Sequence, residues 1–180
     1  MVLYVMRHGT TVWNEIGRSQ GRSQNRLSKN GKLVAQASAQ KLKDVKFDII
    51  FSSPLCRTIQ TANIVNKFHN VKILKDDRLI EFDQGWFTGK LVKTLTEEQK
   101  QARINRDPKY GMENLKAVYA RSRNFFDYLK ENYNDKTVLV VTHNAIASCL
   151  DLITQYGDYN EKDFAVMNHF DNAEFKRFEI

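Results

Sequence analysis

Apolar residues fall in short uncharged runs and in helical stripes that alternate along the chain. Residues 2–6 form a run with no charge, which predicts a buried strand. Residues 10–27 are polar, glycine-containing and without period, predicting a long loop, and long loops inside compact domains are usually functional. Ser28 is placed to cap a helix running to about Lys43, with Leu33, Ala37 and Leu42 as its apolar stripe. Residues 47–51 predict a second strand, after which Ser52-Ser53-Pro54 opens a helix to about Phe68 with proline in its first turn. Leu55, Ile59, Ala62, Ile64 and Val65 give that helix its apolar side.

Further along, residues 71–74 predict a short third strand, and 76–92 read as irregular chain with Gly85 and Gly89 bracketing Trp86-Phe87. A helix over 94–104 is led by Thr94 or Thr96, with Glu97-Glu98 in its first turn. Asp107-Pro108 breaks the chain before a long helix over 112–132, where Leu115, Val118, Tyr119, Ser122, Phe125, Phe126 and Leu129 keep helical spacing. A strongly apolar strand over 137–141 ends at Thr142-His143, a helix follows over 145–154, and strands over 164–169 and 173–179 would close the sheet. Strands alternating with helices imply an α/β fold, a mostly parallel sheet covered on both faces.

Composition narrows this picture only a little. With 180 residues, 42% hydrophobic and 27% charged, the chain has the size and balance of one globular domain spanning 1–180. No apolar run is long enough to cross a bilayer, and the short run before Arg7 lacks the pattern of a signal peptide. Cys56 and Cys149 have no paired spacing and read as reduced thiols, so the expected location is the cytoplasm. The 28 basic residues against 21 acidic ones, a net charge of +7, fit either a nucleic-acid surface or a small anionic substrate. The lysines are dispersed without a basic run, which favours the small substrate; neither nucleic acid nor membrane is expected as a partner.

The chemistry gathers at three strand ends. Arg7-His8 follows the first strand, Arg57 lies one turn into the helix after the second, and His143 ends the strand over 137–141. Singly, each is an ordinary solvated or capping residue. Together they bring two guanidiniums and two imidazoles to the carboxyl edge of one sheet, where open α/β sheets bind ligands. Guanidinium forks suit phosphate oxygens, imidazoles titrate near neutrality, and phosphoryl transfer needs mostly positioning and charge stabilisation. Nearby guanidiniums also disfavour protonation of an imidazole and so keep it nucleophilic. A P-loop, a cysteine followed six residues on by arginine, an Asp-x-Asp pair and metal-ligand histidine spacings are all missing, leaving a metal-free histidine nucleophile. A general acid is needed for the leaving group. Glu81, between apolar neighbours, is the first candidate, with Asp83 and Glu113 as competitors.

With these residues in view, the chain resembles the histidine phosphatase superfamily, in its phosphoglycerate mutase-like branch. The resemblance runs in order through Arg7-His8-Gly9-Thr10, Trp13-Asn14, Gly17-Arg18, Gln20-Gly21, Leu27 and Gly31. It continues through Ser52-Ser53-Pro54-Leu55-Cys56-Arg57-Thr58 with Gln60-Thr61-Ala62, Leu79 and Glu81 with Gly85-Trp86, and Val141-Thr142-His143. It implies a three-layer α/β/α sandwich and a phosphomonoester phosphatase without cofactor or metal. In that reading His8 takes the phosphoryl group, Arg7, Arg57 and His143 hold its oxygens with help from Asn14, and Glu81 serves as acid and base. Asn144, also placed among the phosphate-binding residues, stands where the family usually has glycine and is expected to tolerate a left-handed backbone; Asn25 stands where aspartate is common. The segment from Pro108 to Asn114 matches the family's proline-glycine-glutamate-serine stretch only loosely. The short chain favours an open-pocket phosphatase over a phosphoglycerate mutase, with a non-catalytic phosphate-binding module as a third reading. Trp86, Phe87, Tyr110 and Met112 are candidates for either an apolar entrance or the core. The substrate is expected to be a small phosphorylated molecule; its identity and the oligomeric state are not legible.

Overall fold

Strict alternation within three neighbouring strands sets the architecture. The computed structural model describes residues 1–157 and 169–180. Strands β1 (Val2–Arg7), β2 (Ile49–Ser52), β3 (Ile73–Lys75), β4 (Thr137–Thr142) and β5 (Phe175–Glu179) form one sheet in the order β3-β2-β4-β1-β5. All pairings are parallel except that of β5 with β1. Six α-helices accompany them among the described residues: α1 (Val12–Glu15), α2 (Lys29–Leu42), α3 (Cys56–Asn66), α4 (Glu97–Ile104), α5 (Leu115–Asn132) and α6 (Asn144–Tyr156).

Successive side chains of a strand face opposite ways. Leu3, Val5, Ile49, Phe51, Val138 and Val140 therefore pack under α5 and α6, while Tyr4, Met6, Ile50, Leu139 and Val141 pack under α2 and α3. The result is the expected three-layer α/β/α sandwich. None of the helices is long and apolar enough to cross a membrane among the described residues.

Several boundaries differ from the sequence expectation, each for a local reason. The predicted loop over 10–27 contains α1, whose single turn is held by a reciprocal capping box between Thr11 and Asn14. Helix α2 buries Gly31, Ala35, Ser38, Ala39 and Leu42, whereas the predicted stripe residue Leu33 is 63% exposed. Small residues make that face, so hydrophobicity alone pointed to the wrong side. Pro54 stands outside α3, because Leu55 is the extended N-cap residue. Strand β2 starts at Ile49 rather than 47, where Asp48 Oδ2 instead accepts the Thr137 N–H at 2.8 Å. Val71 is kept out of β3 by the Asn66 side-chain amide, which bonds both its N–H and its carbonyl at 2.9 Å. The long helix α5 begins three residues later than predicted, with Asn114 as its side-chain cap, since Glu113 N–H is used on the Asp83 carbonyl at 2.9 Å. Of the two closing strands, β5 is present from Phe175, and the stretch 164–168 lies outside the described residues.

One close approach ties α2 to the end of β1. A Cβ on Gly31 would collide with the Thr10 carbonyl, and one on Gly9 would sit 2.5 Å from the Gly31 carbonyl oxygen. Two backbones thus touch where side chains cannot fit. Ordinarily glycine to alanine inside a helix stabilises by about 1 kcal/mol. Here Gly31→Ala is expected to destabilise by about 1–3 kcal/mol through overpacking, measured by chemical denaturation; a stabilised variant would show that the approach is not tight.

Candidate active site

The central strands β2, β4 and β1 lie side by side and parallel, so their carboxyl ends open on one edge. Arg7 ends β1 opposite Thr142 of β4, and His8 follows it into the buried interior, 2% exposed. Its backbone is pinned on both sides. The His8 N–H donates to the Thr142 carbonyl at 2.9 Å, its carbonyl accepts from Ala173 N–H at 3.1 Å, and Gly9 N–H donates to Thr61 Oγ1 at 3.0 Å.

The His8 ring meets Arg57 Nε through its Nε2 at 3.1 Å and the Gly9 carbonyl through its Nδ1 at 2.7 Å. A guanidinium can only donate, so Nε2 accepts and the proton sits on Nδ1, directed at the carbonyl. Burial, the Arg57 charge and, more weakly, Arg7 pull the His8 pKa well below its usual 6.5, against the opposing Gly9 hydrogen bond. His8 is thereby neutral near pH 7 with its lone pair on Nε2.

Arg57 lies in the first turn of α3 and is fully buried. Besides His8 it donates from Nη1 to the Ser23 carbonyl and from Nη2 to the Gly21 carbonyl, both at 2.8 Å. Burial lowers its pKa to about 10, with Glu81 opposing, so it stays charged at neutral pH. The loop that supplies those carbonyls is itself stitched to α3. Gln24 Oε1 accepts Cys56 N–H at 3.0 Å, and Gln60 Oε1 accepts Leu27 N–H at 2.8 Å.

His143 is the N-cap residue of α6, fully buried, with Nε2 at 2.8 Å from Ser53 Oγ and its ring centroid 5.2 Å from that of His8. Burial first, then Arg57 and His8, hold its pKa well below 6.5. Among the described residues its buried Nδ1 meets no hydrogen-bond partner, and neither does Nε of Arg7. Asn144 is the first residue of α6 and does not have a positive φ, so the expected left-handed backbone is not used. Its Oδ1 accepts Phe170 N–H at 3.0 Å. Arg7 Nη1 donates to the Phe170 carbonyl at 2.5 Å and lies 3.2 Å from His169 Nε2.

Glu81 sits in irregular chain after a short 3-10 turn, where its Oε1 accepts the N–H of Phe82 at 2.9 Å. Burial raises its pKa above the usual value although Arg57 and the Phe82 N–H oppose. Its backbone is fixed from both sides. Arg121 Nη1 binds the carbonyls of Arg78 and Ile80 at 2.7 and 2.5 Å, and Glu113 Oε2 accepts Asp83 N–H at 3.0 Å. The competing carboxylates are thus occupied elsewhere: Glu113 pairs with Arg121 and Arg22, and Asp83 caps Gly85 N–H at 2.8 Å. Asn14 uses Oδ1 to accept Thr11 N–H at 3.0 Å, which leaves its amide N–H groups for a ligand.

A cavity of about 380 Å³ brings together Arg7, His8, Asn14, Arg57, Glu81 and Asn144. His143 is not on its wall and stands behind His8. Of the four candidates for an apolar entrance only Met112 lines the cavity, while Trp86, Phe87 and Tyr110 pack on one another with centroids 4.8 to 5.6 Å apart. The cavity also holds residues to which the sequence assigned no role, chiefly Arg18, Gln20, Arg103, Arg106 and His169. Arg18 and Gln20 lie within matched motif positions; Arg103 and Arg106 belong to no motif, and only their place at the end of a helix could have marked them. Among the described residues no three His, Cys, Asp or Glu side chains converge as a metal site would require. The arrangement offers a neutral imidazole lone pair beside guanidiniums, with a carboxyl group biased toward its protonated form.

Known proteins resemble this chain in sequence and in fold. The chain is 36% identical over 147 residues to phosphoserine phosphatase 1 of Hydrogenobacter thermophilus, covering 78% of this chain and 70% of that protein. The solved structure of a mycobacterial glucosyl-3-phosphoglycerate phosphatase superposes with a TM-score of 0.84 at 25% identity, covering 98% of this chain and 88% of the other. A phosphoglycerate mutase from Bacillus anthracis superposes with a TM-score of 0.80 at 25% identity, covering 98% and 86%. The sequence pattern of the histidine phosphatase superfamily (branch 1) matches residues 3–180, and the chain belongs to that family.

Proposed function

We propose that the protein is a phosphomonoester phosphatase working through a phosphohistidine on His8. The observation that carries this reading is the His8 ring itself, held as the Nδ1–H tautomer by the Gly9 carbonyl with Nε2 unprotonated. The phosphatase names of its relatives support the same reaction class.

In the proposed reaction His8 Nε2 forms a bond to phosphorus as the ester P–O bond breaks in line. Arg57 keeps its Nε proton and redirects that hydrogen bond from His8 Nε2 to a phosphoryl oxygen, and Nε of Arg7 and the Asn14 amide meet the others. His143, backed by Ser53, lies against His8 and supports the phosphoryl charge from within. Glu81, its pKa raised by burial, gives its proton to the leaving oxygen and then takes one from the water that cleaves the N–P bond. Guanidiniums supply the positive charge, so turnover is expected to persist in EDTA.

A second reading, phosphoglycerate mutase, is kept by the superposition on such an enzyme. Phosphate release assayed beside 3- to 2-phosphoglycerate conversion separates the two, and release is expected to dominate. His8→Ala is expected to lower kcat at least about 10³-fold; normal turnover in that variant would sink the proposal.

Glu81 gives two further expectations. Because the protonated carboxyl is the donor, kcat/KM for alkyl phosphates falls as pH rises through the raised Glu81 pKa, and that limb is absent for p-nitrophenyl phosphate. Glu81→Gln lowers kcat/KM for alkyl phosphates by about 10²–10⁴-fold and for the aryl ester far less. Equal losses for both esters would remove Glu81 from the acid role.

A further inference from the structure

Ser53 is a fully buried polar residue held between the two strands that lead to Arg57 and His143. It directly follows β2, which runs parallel to β4, and its N–H donates to the Val141 carbonyl at 3.1 Å. That bond ties it to the strand whose next residue is His143. The Ser53 hydroxyl oxygen accepts Leu55 N–H at 3.4 Å and lies 2.8 Å from His143 Nε2. Among the described residues no other acceptor meets the hydroxyl proton.

His143 has two neutral forms, and the number of buried groups each one strands decides between them. With the proton on Nε2, His143 would donate to Ser53. The hydroxyl proton would then have no acceptor, and the buried Nδ1 lone pair no donor. With the proton on Nδ1, Nε2 accepts from the Ser53 hydroxyl, and the Nδ1–H alone is stranded. A buried polar group without a partner is costly, so the second form is preferred. Protonation of both nitrogens is opposed by burial and by Arg57. The stranded group is therefore a donor, which is what an arriving anion needs. The rings of His8 and His143 lie with centroids 5.2 Å apart. They share one tautomer for opposite purposes: His8 offers a lone pair at Nε2, His143 a proton at Nδ1.

We propose that Ser53 is a positioning residue whose hydroxyl donates to His143 Nε2 and so keeps the His143 proton on Nδ1, as a neutral donor to the phosphoryl group on His8. This rests on the phosphatase reading above. No proton leaves His143 in either half-reaction; its Nδ1–H bond to a phosphoryl oxygen strengthens as charge gathers there. In the other tautomer the same oxygen would face a lone pair and be repelled.

Two kinds of measurement test it, and the first needs no turnover. Long-range proton–nitrogen nuclear magnetic resonance spectra of protein carrying isotopically labelled histidine report which ring nitrogen bears the proton. The unliganded wild type is expected to show His143 protonated on Nδ1, and Ser53→Ala to populate the Nε2–H form. Kinetically, Ser53→Ala is expected to lower kcat/KM for p-nitrophenyl phosphate about 10- to 100-fold and to weaken calorimetric binding of orthovanadate by a similar factor. His143→Asn supplies the control, because its amide N–H replaces the Nδ1–H and has no tautomer to choose. In that background Ser53→Ala should cost less than about 2-fold, whereas a purely structural role would cost the same in both. A wild-type His143 protonated on Nε2 overturns the proposal, and so does a Ser53→Ala loss that is absent or equal in the two backgrounds. Wild-type protein that shows the Nδ1–H form and Ser53-dependent binding of orthovanadate, yet hydrolyses neither p-nitrophenyl phosphate nor O-phosphoserine, upholds the donor assignment and overturns the phosphatase reading instead.

Discussion

A fully buried cation, Arg57, sets the conditions for the rest of the site. An arginine with no exposure is tolerable only if its donors are met, since an unpaired buried charge costs several kcal/mol. Each of its three nitrogens has a partner, Nη2 and Nη1 the carbonyls of Gly21 and Ser23 and Nε the His8 Nε2. The first two require the loop after α1 to be closed over α3. The third fixes which His8 nitrogen bears the proton. Loop closure, burial of charge and choice of tautomer are thus one constraint, and Glu81 joins it as the nearby opposite charge that offsets part of the Arg57 desolvation.

The sheet converts this local constraint into a precise position. β1 lies between β4 and β5, and His8 is anchored to β4 through Thr142 and to the turn before β5 through Ala173. On one side α2 approaches the same turn through Gly31 and Gly9, close enough that neither position has room for a Cβ. On the other, Arg121 of α5 grips the chain on which Glu81 sits. The nucleophile and the carboxyl group are therefore held from opposite helical layers, and both line the cavity at the sheet edge.

Much of this was legible because the informative signals were of the kind sequence carries well. Residues ending apolar strands mark the sheet edge, so Arg7, His8, Arg57 and His143 could be grouped before any geometry was known. The stripe of α5 read correctly from Val118 to Leu129 because it is made of large apolar side chains. The face of α2 did not, because Gly31, Ala35, Ser38 and Ala39 bury backbone contacts that hydrophobicity does not register. One-turn α1 is too short for a periodic signal and exists by its capping box. Asn144 was read for a backbone conformation it does not adopt, and its actual use, accepting Phe170 N–H, joins residues 26 apart that no local pattern connects. Arg103 and Arg106 were invisible for a related reason: they belong to no motif and reach the cavity only because the end of α4 is folded against it.

The most direct measurement is a rapid quench of a single turnover into alkaline denaturant, followed by mass-spectrometric mapping of the phosphorylated residue. Phosphate on His8, stable to alkali, labile to acid and placed on Nε2 by nuclear magnetic resonance, is the expected result, with formation and decay fast enough to account for turnover. Phosphate on another side chain, or full turnover with no phosphorylated protein at any time, would contradict a His8 nucleophile.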